Sequence, residues 1–260
     1  MIRTILILLS FFVTQTCVAA ESQVSLEIDA TVWAQHYSGD FKIKQIDIRP
    51  IDVENDLNYS ANSNRSLSIS LIHNLPVIPQ IKIRDSSVDA AETNVVPNDF
   101  TFGGFAFLFS SGDRIQSSIH FDHRDISFYY NIGQSNPRVG VGMTIRKFDG
   151  RISIETLDGF LAGNPLESIF REQVPLFYGR LDGTLPAFNL SSSIELHYGR
   201  LQGNEMVDLS VMFGYETKFN LGFKLGYRYL KLEIRDFDEI STDIKVAGPQ
   251  LAVVYQFSKP

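Results

Sequence analysis

Apolar side chains return at every second position through most of this chain. In VSLEIDATVWAQ (24–35), Val24, Leu26, Ile28, Ala30 and Val32 lie on one face, and Ser25, Glu27, Asp29, Thr31 and Trp33 on the other. RVGVGMTIR (138–146), NLSSSIELHYG (189–199), VDLSVMFGYE (207–216) and NLGFKLGYRY (220–229) repeat the pattern. So does GPQLAVVYQF (248–257), where Leu251, Val253, Tyr255 and Phe257 alternate with Gln250, Ala252, Val254 and Gln256. A period of two marks a strand whose two faces meet different surroundings. The alternation predicts ten strands, near residues 23–38, 64–74, 79–90, 117–132, 136–148, 174–186, 189–201, 204–217, 220–235 and 243–257. Helical spacing is scarce, and PLESIFREQ (165–173) is the best short helix candidate. FTFGGFAFLF (100–109) could supply a further strand, and a partner such as 41–48 would bring the count to twelve.

The links sharpen the fold class. Those after the even strands are short: LPVI, GQS, AF and KF. Those after the first, third and fifth strands are long, at 39–63, 91–116 and 149–173. Strands of about ten residues, with short turns at one end and long loops at the other, are the pattern of a transmembrane β-barrel. Lipid offers no partner to backbone groups, so only a closed sheet satisfies every strand. A soluble sandwich also alternates, but its outward face is the polar one. The expectation is therefore an all-β, antiparallel, up-and-down barrel of about ten strands, apolar face to lipid and polar face to the lumen. An even count puts both termini at the periplasmic end. Tyr129, Tyr130, Tyr198, Tyr215, Tyr227, Tyr229, Tyr255 and Phe257 are candidates for aromatic girdles at the lipid–water boundaries.

The amino terminus supplies a compartment. MIRTILILLSFFVTQTCVAA carries Arg3, an apolar run from Ile5 to Val13, and small residues before Glu21. That order predicts a secretory signal peptide, residues 1–20, cut after Ala20, with the barrel domain at 21–260. The run is well short of the ~20 residues that span a bilayer as a helix. Cys17 is the sole cysteine and leaves with the leader, so disulfides and thiolate metal sites are excluded from the mature chain. Losing Arg3 takes the basic count from 23 to 22 against 30 acids, a net charge of -8. No basic patch suggests nucleic acid. The expected location is the outer membrane of a Gram-negative bacterium.

The inward faces are charged. Glu27, Asp29, Asp182, Glu195, Asp208 and Glu216 would point into the lumen, as would Lys82, Arg84, Arg146, Arg180, Lys224 and Arg228, with His197 beside Glu195. Paired, these charges would lock the lumen; a narrow path for small polar solutes is the alternative. IHFDHRD (119–125) is the candidate for catalysis. His120 and Asp122 share one strand face, and His123 and Asp125 the other, as a His–carboxylate pair for activating water would require. His197, Glu195 and Ser193 form a weaker set. No nucleophile motif accompanies either, so the expectation is no enzyme and no cofactor, with an envelope hydrolase as the minor alternative. DVENDL (52–57) and RDFDEISTD (235–243) concentrate carboxylates but lack the glycine of a calcium loop, so no metal is expected.

WAQHYSGDF (33–41), HNLPVIPQIKI (73–83), DISFYYNI (125–132), PLFYGRLDGTLP (175–186) and the last two strands (223–257) resemble a family of small outer-membrane β-barrel proteins of Gram-negative bacteria with no assigned activity. In the family pattern His is followed by Pro in the first turn, and Asn follows its last Pro; Asn74 and Gln80 stand there in this chain. The resemblance implies fold and location and no catalytic residues. Barrels of this kind end in an aromatic residue read by the insertion machinery. Tyr255 and Phe257 would serve, with Ser258, Lys259 and Pro260 following. The partners expected are outer-membrane lipid, lipopolysaccharide and the barrel-assembly machinery, around a monomer.

Overall fold

The alternation builds a closed wall. The structure is a computed structural model that describes residues 24–258 apart from 44–46, 60, 76, 104–107, 134–135, 159–161, 186–187, 189, 202–203 and 238–239. The leader and the cut expected after Ala20 lie outside the described residues. Among the described residues fourteen strands run in chain order: β1 (Val24–Lys42), β2 (Ile51–Asp52), β3 (Asn62–His73), β4 (Gln80–Ser86), β5 (Asp89–Val95), β6 (Phe100–Thr101), β7 (Leu108–Phe109), β8 (Arg114–Ile132), β9 (Arg138–Thr156), β10 (Leu166–Leu185), β11 (Leu190–Leu201), β12 (Asn204–Glu216), β13 (Leu221–Phe237) and β14 (Ile240–Ser258). β4 and β5 are two pieces of one stave, both on β8, so the wall has ten antiparallel staves. β14 returns to β1 in register from Ser25↔Ser258 to Lys42↔Ser241, which closes the barrel and abolishes its edge.

The outer face carries a ring of apolar side chains. Ile28, Ile69, Ile83, Ile126 and Ile145 stand in one hydrogen-bonded row across five neighbouring staves. The next outward row toward the long-loop end reads Leu67, Asp85, Arg124 and Lys147. The apolar band therefore ends within two residues on β4, β8 and β9. Phe213, Leu225, Leu251 and Met143 are each about 60 % exposed, which only a lipid surround makes favourable.

Three expectations are corrected here. Residues 165–173 are not helical: β10 runs through them, because Leu166, Ser168 and Phe170 pair with Ile154, Ile152 and Gly150 of β9. Gly150 leaves the space that the Phe170 ring occupies, and a side chain there would collide with it. The supposed loop 149–173 is thus mostly wall, rising past the apolar band. The twelve-strand option also falls, since β6 and β7 pair with each other in a separate sheet. Tyr129 is no girdle residue; it is 2 % exposed and stacks inside on Tyr178, ring centres 5.1 Å apart. The other girdle candidates face outward.

The interior divides into two layers. Toward the long loops it is apolar: Trp33, Tyr37, Phe41, Ile115, Ile119, Phe121, Ile152 and Ile154 point in from the wall. Ile51, Val53, Leu57 and Tyr59 of the first long loop and Phe100, Phe102 and Phe109 of the second fold down onto them. The loops thus stopper the mouth. The acids of DVENDL serve this stopper: Asp56 takes Arg49 at 2.5 and 2.8 Å, and Asp52 accepts the backbone N–H groups of Glu54 and Asn55. Above Ser86, β3 and the β4–β5 stave part company, and side chains stitch the seam. Asn62, Asn64 and Tyr37 all donate to the carbonyl of Asp89, and Gln35 to that of Ser87. At the opposite end, Gln80 closes the first short turn by accepting from the His73 N–H at 2.8 Å and donating to the His73 carbonyl at 2.5 Å.

Candidate functional site

Below the apolar layer, charged side chains from six staves converge on the barrel axis. Each sits at an inward position of its strand: Lys82 and Arg84 on β4, Asp125 on β8, Arg146 on β9, Glu195 and His197 on β11, Asp208 on β12, Arg228 on β13. Asp125 accepts a bidentate pair from Arg146 at 2.7 and 2.8 Å and a third bond from Arg84 at 2.8 Å. Asp208 accepts a bidentate pair from Arg228 at 2.8 and 2.7 Å, and further bonds from Arg146 at 2.6 Å and Arg84 at 3.3 Å. Glu195 takes Arg84 at 3.0 Å and Lys82 at 2.5 Å. Arginine suits this position because its planar fork serves two carboxylates at once. Arg84 joins all three acids and crosses the lumen in doing so.

Histidines, hydroxyl groups and an indole complete the cluster. His197 Nδ1 lies 3.0 Å from Thr144, which bonds Ser127 at 2.7 Å. His123 Nδ1 lies 3.2 Å from the Phe121 carbonyl, and its Nε2 lies 3.2 Å from Arg228. The indole of Trp33 stacks under the Arg228 guanidinium, 4.6 Å from it. A second tier lies nearer the short turns, where Arg180 bonds Asp182 at 2.6 Å and faces Glu27 at 3.8 Å. Asp29 accepts from Thr31 at 2.6 Å. Between the tiers remains a polar cavity of about 50 Å³, walled by Glu27, Asp29, Lys82, Arg84, Arg180 and Lys224. That is room for a water or two, not for a hydrated solute.

Glu27, Asp29, Lys82, Arg84, Arg146, Arg180, Asp182, Glu195, His197, Asp208, Lys224 and Arg228, expected from sequence to line the lumen, lie on the inward face of their strands. Glu216 keeps the same parity at the last position of β12, paired with Gly222, but is exposed at the short-turn end and joins no ion pair among the described residues. Two residues assigned to possible chemistry belong to the lock instead. Asp125 is 1 % exposed and committed to two arginines, and His123 is 3 % exposed against Arg228. His120 and Asp122 point outward on the other face of β8. His120 Nδ1 lies 2.8 Å from Asp89, and Asp122 is held by Ser87 and the Val88 backbone. The two halves of the IHFDHRD motif thus lie on opposite sides of the wall. His197, in turn, faces Thr144 rather than Ser193.

His123, Asp125 and Asp208 also offer three ligand atoms within 4.8 Å of one another. The donor set does not fit a cation, because three guanidinium groups already occupy the same carboxylate oxygens. A divalent ion would have to enter against their charge.

No family model matches the chain, and no curated protein matches it in sequence. Among solved structures it is similar to the outer membrane protease OmpT from Escherichia coli, at 8 % identity over 90 % of this chain and 97 % of that one, with a TM-score of 0.50. It also aligns with the translocator domain of the autotransporter NalP from Neisseria meningitidis, at 12 % identity, 91 % and 88 % coverage and a TM-score of 0.40. Ail from Yersinia pestis aligns at 10 % identity, 92 % and 100 % coverage and a TM-score of 0.31. At such identities the likeness shows fold alone, and only the first score is high enough to carry it. The chain has the outer-membrane type of β-barrel fold.

Proposed function

We propose that this chain is an integral outer-membrane protein of a Gram-negative envelope whose barrel is sealed and whose long-loop end is a binding or structural platform. The single observation that carries this is Arg84, which spans the lumen and bonds Glu195, Asp125 and Asp208 together. The loop stopper above it supports the same conclusion. In this placement the short turns and both termini face the periplasm and the long loops face outward. The apolar band would meet lipid, and at its upper edge Lys147, beside the Arg124–Asp85 pair, would meet lipopolysaccharide phosphates. Tyr255 and Phe257 lie outward on the closing strand, ring centres 4.5 Å apart, where assembly machinery would find them.

The protein works as a monomer without a cofactor and is not a hydrolase on this account. His120 and Asp122 sit on the outer wall, away from His123 and Asp125. A liposome-swelling assay on refolded residues 21–260 tests the sealed lumen. Vesicles carrying the folded barrel should swell no faster in small sugars or amino acids than empty ones. Swelling that rises with the amount of inserted protein would make it a channel.

A further inference from the structure

The wall is notched beside β10. β9 pairs with β10 from Leu166 to Asp182, but β11 pairs with it only from Phe177 to Leu185. The β11–β12 hairpin stops near residue 202, while β9, β10, β13 and β14 rise beyond it. Among the described residues, no strand covers the Leu166–Leu176 edge of β10. Through this gap opens a cavity of about 170 Å³ inside the upper barrel. Its walls are apolar: Phe121, Phe148, Phe170, Val174, Met206 and Leu232. Its rim carries Glu172, Glu205 and Glu233 against Arg200. Glu233 pairs with Lys231 at 2.6 Å and with Arg235 at 2.8 Å.

We infer that this notch is a binding site for a single-ring aromatic compound without negative charge. Three features point there. The volume is close to that of the roughly 150 Å³ apolar cavity known to take up benzene. Four of the lining side chains, Phe41, Phe121, Phe148 and Phe170, are phenyl rings, which offer edge and face contacts to a fifth. Lys231 and Arg235 offset Glu233, but Glu172 and Glu205 on the rim join no ion pair among the described residues, so an aromatic carboxylate or the headgroup of an anionic lipid meets uncompensated carboxylates there while a neutral ring or an aromatic amine does not. The mouth is lateral and lies above the apolar band, beside Pro175 and Gly199, so a ligand could enter from the boundary without passing the stoppered lumen. The inference deepens the reading of the long-loop end as a binding platform by naming the ligand class. It does not depend on whether the lumen conducts.

The test is ligand-observed fluorine NMR with fluorobenzene on full-length mature barrel in nanodiscs, with empty nanodiscs as the partition control. Val174→Phe and Leu232→Phe fill the cavity from two different staves, so one remains informative if the other fails to fold. Ile69→Phe, on the lipid face of β3, is the control for added apolar surface. The expected result is saturable binding beyond the empty-disc signal, weakened at least tenfold by either filling variant and unchanged in Ile69→Phe. Benzylamine should compete and benzoate should not. Signal equal to empty nanodiscs, or binding that survives both filling variants, overturns the proposal. Competition by a short-chain phosphatidylcholine with none by benzylamine would overturn it too, and would make the occupant an acyl chain. Conductance is recorded on the same refolded protein in a planar bilayer, so failure of this site and failure of the sealed-lumen reading are told apart.

Discussion

Replacing Asp208 by Asn removes one negative charge from the most crowded point of the lumen. Asp208 is 1 % exposed and accepts four hydrogen bonds from three arginines. Asparagine keeps the shape and one acceptor oxygen, but leaves Arg84 and Arg146 to Asp125 and Glu195 and strips Arg228 of its carboxylate partner. Breaking a buried pair by removing one partner costs about 3–5 kcal/mol, because the remaining charge stays buried. At about 1.4 kcal/mol per tenfold, that is two to three and a half orders of magnitude in the folding equilibrium. The matched control is Asp85→Asn, which breaks an ion pair with Arg124 whose two side chains are 56 % and 61 % exposed. An exposed pair contributes less than about 1 kcal/mol. The assay is urea unfolding of the protein in lipid vesicles, followed by tryptophan emission. Trp33 is the sole tryptophan and stacks on Arg228, itself bound to Asp208, so the probe reports on the network directly. Pairing Asp208→Asn with Arg228→Met should recover part of the loss, a coupling that a double-mutant cycle reads. Equal unfolding midpoints for Asp208→Asn and Asp85→Asn would refute the reasoning.

Further outcomes follow from single contacts. Gly39 holds φ at 105°, and a Cβ there would run into the Asp243 carbonyl of β14; Gly39→Ala should slow barrel closure and lower the folded fraction on unheated gels. Gln80→Leu strips the His73 backbone of both its partners in the first turn and should destabilise the barrel by about 1–3 kcal/mol, read as a shift of the urea midpoint. His120→Ala should leave peptide and phospholipid turnover indistinguishable from the wild-type background, whereas a lost activity would revive the hydrolase. Phe170→Ala empties the space over Gly150; Phe170 is only partly buried, so the loss should fall at or below the low end of the ~3–5 kcal/mol expected for a buried phenyl.

The wall was legible because lipid on one side and charge on the other enforce an unbroken period of two. Leu251, Val253, Tyr255 and Phe257 show it even at the chain end, where β14 finds β1. The extension of β10 was hidden because its partner is distant in sequence. Nothing local to Phe170 reveals that Gly150 lies beneath its ring. The stopper was hidden for a related reason. Ile51, Val53, Leu57 and Tyr59 are isolated apolar residues in a polar stretch, and only the folded loop gathers them. Inward charges could be named from parity alone. Their pairing could not: Asp125 stands in a His–carboxylate pattern that would also suit catalysis, and only the fold brings Arg84 and Arg146 onto it. Both faces of β8 carry His and Asp, so the pattern gave no sign of which pair entered the lumen.

Single-channel recording in a planar bilayer puts the sealed lumen to its most direct test. Refolded residues 21–260, with insertion verified by protease protection, should give a quiet baseline at all applied voltages. Discrete steps from the wild-type barrel would contradict the lock formed by Arg84, Glu195, Asp125 and Asp208, and would make the protein a pore.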